Sequence, residues 1–333
     1  MDLDAFVATH REEWRRLDQL VRRRGRLTGP EADELVRLYR RTSTHLSLVR
    51  SAAPDPALVA RLSGLVARAR GGVAGAPDPG WSDVVRFVRA GFPAAVYRTR
   101  HWWVPTALVF VAVSAAVAWW VAGDPAVQAS VGAPDEIRRL VEEDFADYYS
   151  ANPALSFAAQ VWTNNAWIAA GCLILGVFLG LPVVYILWQN ALNVGVAAGL
   201  MAAHGRLDVF FGLITPHGLL ELTAVFVAAG VGLRLGWTVV DPGPRTRVDA
   251  LAQEGRAAVG VAIGLAGVLL VSGVIEGFVT PSGLPTWARI GIGVLAEVAF
   301  LAYVWTSGRR AALAGETGDV AETERGDALP VAG

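Results

Sequence analysis

Lysine is missing from the chain: all 29 basic residues are arginine. That pattern reflects the coding bias of a GC-rich genome, not phosphate chemistry, and no nucleic-acid partner is expected. Cysteine occurs once, at Cys172, which excludes an intramolecular disulfide and any cysteine-built metal site. The start, Met1-Asp2-Leu3-Asp4, lacks the basic stretch and early apolar run of a signal peptide, so none is expected. The chain has no HExxH pair, glycine-rich phosphate loop, Ser-His-Asp order or Cys-His pair. No cofactor, metal or catalytic residue is therefore assigned from sequence. Charge is also scarce, at 18% of residues against 53% hydrophobic, which tilts the class toward membrane proteins.

What is present is unevenly spread. Residues 1–100 are charged and patterned, with 18 Arg against 11 Asp and Glu. Phe6, His10, Trp14, Leu17 and Val21 recur at helical spacing. Thr28-Gly29-Pro30-Glu31 has the spacing of a capping box and opens a second helix carrying Leu35, Leu38, Tyr39, Leu46 and Val49. Pro54-Asp55-Pro56 starts a third, with Leu58, Leu62, Leu65 and Val66 inward. Gly71 to Gly80 reads as a linker. Residues 1–80 are thus expected to be a cytoplasmic helical domain. Residues 81–101 are expected to be an amphipathic helix in the membrane interface, bent at Phe92-Pro93, with a fourth helix of the soluble bundle as the alternative.

Long apolar runs fill residues 102–306, the expected transmembrane domain. A span needs about 20 residues to cross a core of about 30 Å. Spans are expected near 103–121, 166–188, 217–240, 257–276 and 287–305. Gly176 and Gly180 form a GxxxG pair within the second. The acidic segment 123–163 should carry a short helix over 136–150 with Phe145, Tyr148 and Tyr149. Residues 190–214 hold two short apolar pieces around His204-Gly205-Arg206. Arginine-rich segments belong on the cytoplasmic side, and residues 1–100 and 241–256 both carry them. Parity then requires a crossing between 190 and 214, expected as a broken third helix. The fold class is therefore all-α: a polytopic helical membrane protein with about six crossings and both termini cytoplasmic in the bacterial inner membrane. A flexible tail over 307–333 follows.

That topology puts Asn164, Asn165, His217, Glu221 and Glu276 at similar depth on the outer side. His217 and Glu221 lie four residues apart, one helical turn, so they share a face. Ionisable residues within spans mark functional sites by default. Asn190, Asn193, Arg234 and Glu297 are secondary polar positions, with Arg234 a possible partner for Glu297. Each has a structural reading too: Asn164-Asn165 as a helix cap, His217 bonded to a backbone carbonyl, Glu276 wet at a helix end.

Pro216-His217-Gly218 with Glu221-Leu222, Ile275-Glu276-Gly277-Phe278 followed by Thr280-Pro281, and Asn164-Asn165 resemble the stage II sporulation protein M family. Phe6, Trp14, Leu38-Tyr39-Arg40 and Leu46 are similar to its longer members. The resemblance covers about residues 1–305. It implies an integral membrane scaffold of the cell envelope, not an enzyme, whose partners are the lipid bilayer and other membrane or envelope proteins such as peptidoglycan hydrolases. It does not imply sporulation. Two further readings stay open: a transporter or permease using the outer-side polar site and the broken helix, and an intramembrane hydrolase holding a metal on His217, Glu221 and Glu276.

Overall fold

The computed structural model describes residues 3–23, 27–52, 55–73, 81–144 and 154–318, all helices and short connections. The chain divides between Val84 and Val85 into two units. In the first, α1 (Leu3–Arg22), α2 (Gly29–Ala52) and α3 (Pro56–Val73) pack on one another. Their core is Trp14, Leu17, Leu20, Val21, Leu35, Leu38, Leu46, Val49, Leu62, Leu65 and Ala69. Helix starts are fixed locally. Glu31 Oε2 accepts from the Thr28 backbone N–H at 2.9 Å, and Asp55 Oδ1 from that of Leu58 at 2.6 Å.

The second unit begins within α4 (Trp81–Arg86), which runs through a π-helical turn (Phe87–Gly91) into α5 (Phe92–Arg98). The bend expected at Phe92-Pro93 is absent, because Gly91 and Phe92 both keep helical φ/ψ and the helix runs on. Phe92 to Val96 is buried, and Pro93 sits in the first turn of α5, where its missing N–H costs little. Phe92 fits over Gly264, where a Cβ would come within 2.1 Å of its ring.

Then come α6 (Arg100–Gly123), α7 (Pro125–Val131) and α8 (Pro134–Arg139) with a π-helical turn over Leu140–Asp144. Phe145, Tyr148 and Tyr149, together with most of the 71–80 linker and of the 307–333 tail, lie outside the described residues. Next are α9 (Ala154–Leu175), α10 (Leu181–Ala203) and α11 (Leu207–Val240). The last elements are α12 (Arg247–Val274) with a π-helical turn (Ile275–Val279), α13 (Thr286–Tyr303) with another (Val304–Gly308), and α14 (Arg309–Leu313). Among the described residues, five helices are long and apolar enough to cross a membrane: those over 100–123, 181–203, 207–240, 247–279 and 286–313. α9 adds a sixth long helix of 22 residues.

The unit is built around α11, which packs against α6, α9, α10, α12 and α13 and is buried along most of its length. At 34 residues it is about 51 Å long.

Two expectations about the spans are corrected. The run 166–188 is not one helix: α9 stops at Leu175, and a turn precedes α10. Leu179 and Gly180 take positive φ of 56° and 73°, and Pro182 sits at the start of α10. Gly176 and Gly180 are therefore turn residues, not a helix-packing pair. They still allow a close approach, because a Cβ on Gly176 would lie 2.4 Å from the carbonyl of Gly232 in α11.

Likewise, 190–214 is not a broken third helix. α10 is a continuous 23-residue helix, the break is the turn at His204-Gly205-Arg206, and residues 207–214 are the first turns of α11. Pro216 does not end α11, since neighbouring helices tolerate a missing bond inside a membrane bundle. The small-residue pair that does join helices is Gly195 and Gly199 on α10. A Cβ there would meet Val117 and Val121 of α6 at 2.7 and 2.6 Å.

Candidate functional site

The site is assembled from three helices. α11 supplies His217 and Glu221 one turn apart, α12 supplies Ser272 and, in its terminal π-helical turn, Glu276, and α9 supplies Asn165. His217 and Glu276 are buried, at 5% and 2% exposure, and Glu221 is half-buried. Asn165 Nδ2 donates to Glu221 Oε1. Ser272 Oγ donates to the His217 carbonyl at 3.0 Å and lies 3.5 Å from Glu221 Oε2.

The π-helical turn sets the register of the α12 end. The Thr280 N–H bonds to the Ile275 carbonyl at 3.0 Å, five residues back, and both Glu276 and Thr280 then reach His217. Thr280 Oγ1 points its own hydrogen at the Ile275 carbonyl, 3.4 Å away, so it accepts from His217 Nδ1 at 3.3 Å. That bond assigns the proton to Nδ1 and turns the Nε2 lone pair toward Glu276 Oε1, at 3.6 Å. One ligand atom from each of His217, Glu221 and Glu276 lies within 4.8 Å of the others.

The model of stage II sporulation protein M matches residues 107–281, just over half of the 333 residues. The chain belongs to the stage II sporulation protein M family. The matched stretch of this family member contains the whole cluster, all of α9 to α12 and α6 from residue 107, but not α13. A second match, to a domain of unknown function (DUF8413), covers residues 4–75, the three-helix unit. No curated protein and no solved structure matches the chain. Family membership and the apolar helices make it a membrane protein.

Of the other sequence-derived positions, Asn164 is exposed and is not brought to the cluster, because adjacent residues of a helix point about 100° apart. Asn193 is exposed, and Asn190 Nδ2 donates back to the Ile186 carbonyl at 2.8 Å. The suggested Arg234–Glu297 pair does not form. Arg234 bonds Glu254 at 2.7 Å, joining α11 to α12, while Glu297 Oε1 accepts from Thr223 at 2.9 Å. Sequence reasoning missed Ser272, Thr280 and Thr223. The first two were findable, since Ser272, Glu276 and Thr280 follow one another at four-residue intervals.

Two other features belong to different places in the fold. An apolar cleft of about 450 Å³ lies along α6 and α10, lined by residues including Trp102, Phe110, Leu187 and Trp188. In the three-helix unit, His10, Glu13 and His45 also converge. There Trp14 Nε1 donates to His45 Nδ1 at 3.1 Å, which leaves the proton of a neutral ring on Nε2 and removes that nitrogen as a metal ligand. Burial, then the neighbouring His10, pushes the His45 pKa below its usual 6.5.

Proposed function

We propose that this family member is a non-enzymatic anchoring protein of the bacterial cell envelope, crossing the cytoplasmic membrane six times with both termini inside. Six long helices support the count. The arginine-rich residues 1–100 and 241–256 fall on one side of such a bundle, as the inside location of basic loops requires. Residues 124–153 would then face outward, and the His217–Glu221–Glu276 cluster would sit in the outer half.

The observation that carries the anchoring role is the packing of α11. It is buried without a break from Ala224 to Gly232 and carries further buried residues from Phe210 to Thr238, and helices approach so closely that a Cβ on Gly232 would lie 2.1 Å from the Cys172 carbonyl. Such an interior favours a rigid hub over a lined passage. The permease reading also loses its broken helix. A hub of this kind leaves its charged N-terminal helices and the acidic segment after α6 for partners such as peptidoglycan-remodelling enzymes. Cross-linking in native membranes, followed by purification of the full chain, should recover an envelope enzyme or membrane partner at comparable abundance. Recovery of the chain alone, or solute flux in liposomes that Glu221→Gln abolishes, would overturn the reading.

A further inference from the structure

Within the cluster between α9, α11 and α12, His217, Glu221 and Glu276 turn possible ligand atoms toward one another. His217 Nδ1–H is directed to Thr280, so Nε2 presents a lone pair to Glu276 Oε1. Glu276 Oε2 is buried with no hydrogen-bond partner among the described residues. Glu221 completes the triangle, with all three ligand atoms within 4.8 Å of one another. Lone pairs facing one another in a buried site repel, and a cation between them removes the repulsion.

We propose that His217, Glu221 and Glu276 bind a divalent cation of the zinc type, which ties α11 to α12. One imidazole and two carboxylates form a nitrogen–oxygen donor set suited to zinc, and the two carboxylates match a double positive charge. Ligands held at about 2.0–2.1 Å around a tetrahedral ion stand roughly 3.4 Å apart, so modest side-chain movement closes the triangle. The surrounding shell is also in place. Thr280 orients the imidazole and Asn165 orients Glu221, while Ser272 holds the His217 backbone carbonyl. The proposal is independent of the anchoring role, since it concerns what the bundle holds and not what it recruits.

The test is elemental analysis of the full chain purified in detergent without chelators, followed by zinc titration of chelator-treated protein with thermal unfolding as the readout. About one zinc equivalent per chain and a zinc-dependent rise in Tm are expected. Glu276→Gln and His217→Ala should weaken zinc affinity by about tenfold or more, while Glu297→Gln, at a separate site, should leave it unchanged. If either cluster variant fails to fold, the wild-type metal content and its response to added zinc decide the matter. Wild-type protein that carries no stoichiometric metal and gains no stability from zinc overturns the proposal, as does equal zinc binding by a folded Glu276→Gln variant.

Discussion

Glu276 and His217 face each other across 3.6 Å in the buried interior, so neither can be judged alone. With a cation shared between them, as proposed, removing one ligand leaves the other buried with its polar atoms stranded, which costs about 1–3 kcal/mol for a hydrogen-bonding group and more for a charge. Single His217→Ala and Glu276→Ala substitutions should each destabilise the protein, and the double variant should lose less than the sum. A coupling of about 1–3 kcal/mol in unfolding free energy is expected; strict additivity would show that the two do not act together. In the three-helix unit, His45 gives a second prediction. Its pKa is lowered in the folded state, so it is neutral there while the unfolded chain takes up a proton near 6.5. That contribution to stability is complete above about pH 6.5 and shrinks as pH falls toward the depressed folded value. Protonation also ends acceptance from Trp14 at Nδ1. Unfolding of the unit, followed by Trp14 fluorescence, should come at lower denaturant at pH 5.5 than at pH 7.5, and His45→Phe should flatten the difference. At this scale the sequence revealed His217, Glu221, Glu276 and Asn165 as residues to watch. It did not reveal Asn164 as the outward neighbour, because a pair of asparagines has no facing direction until the helix phase is known.

Helix boundaries follow a different logic. The turn at Gly176–Gly180 and the continuous start of α11 were both hidden by apolarity, since a hydrophobic run shows where lipid is tolerated but not where the backbone reverses. The readable signal was Gly180-Leu181-Pro182, a left-handed residue followed by a proline suited to a helix start. Pro216 was misleading in the opposite sense: it breaks helices in water but stands within α11, where Gly293 of α13 packs against its carbonyl. Close backbone approach makes a testable contrast among glycines. Gly232→Ala would push a methyl against the Cys172 carbonyl, and a loss of about 1–3 kcal/mol is expected. Gly267→Ala in α12 meets nothing within 4 Å and should be neutral or stabilising by about 0.5–1 kcal/mol, through better helix propensity. Detergent-based unfolding of both variants checks this; equal effects would mean that α11 is not packed as described.

At the scale of the whole molecule, class and family were legible early. The apolar runs, the arginine-rich N-terminal residues and the motifs around His217 and Glu276 all pointed the same way, and the family match covers residues 107–281. Reassigning the helices leaves six long segments while moving both ends of the third. The proposed orientation is open to direct mapping. In a Cys172→Ala background, a cysteine at Ser130 should react with a membrane-impermeant reagent in intact cells, and one at Arg245 only after permeabilisation. The reverse pattern would invert the topology. The claim on which the rest depends is the meeting of α9, α11 and α12 at one buried polar cluster. An experimental structure of the full chain in a lipid nanodisc tests it most directly. His217 facing both Glu221 and Glu276, with Asn165 on Glu221, is the expected result; a Glu276 carboxylate turned into lipid, or a His217 ring directed away from both carboxylates, would contradict it.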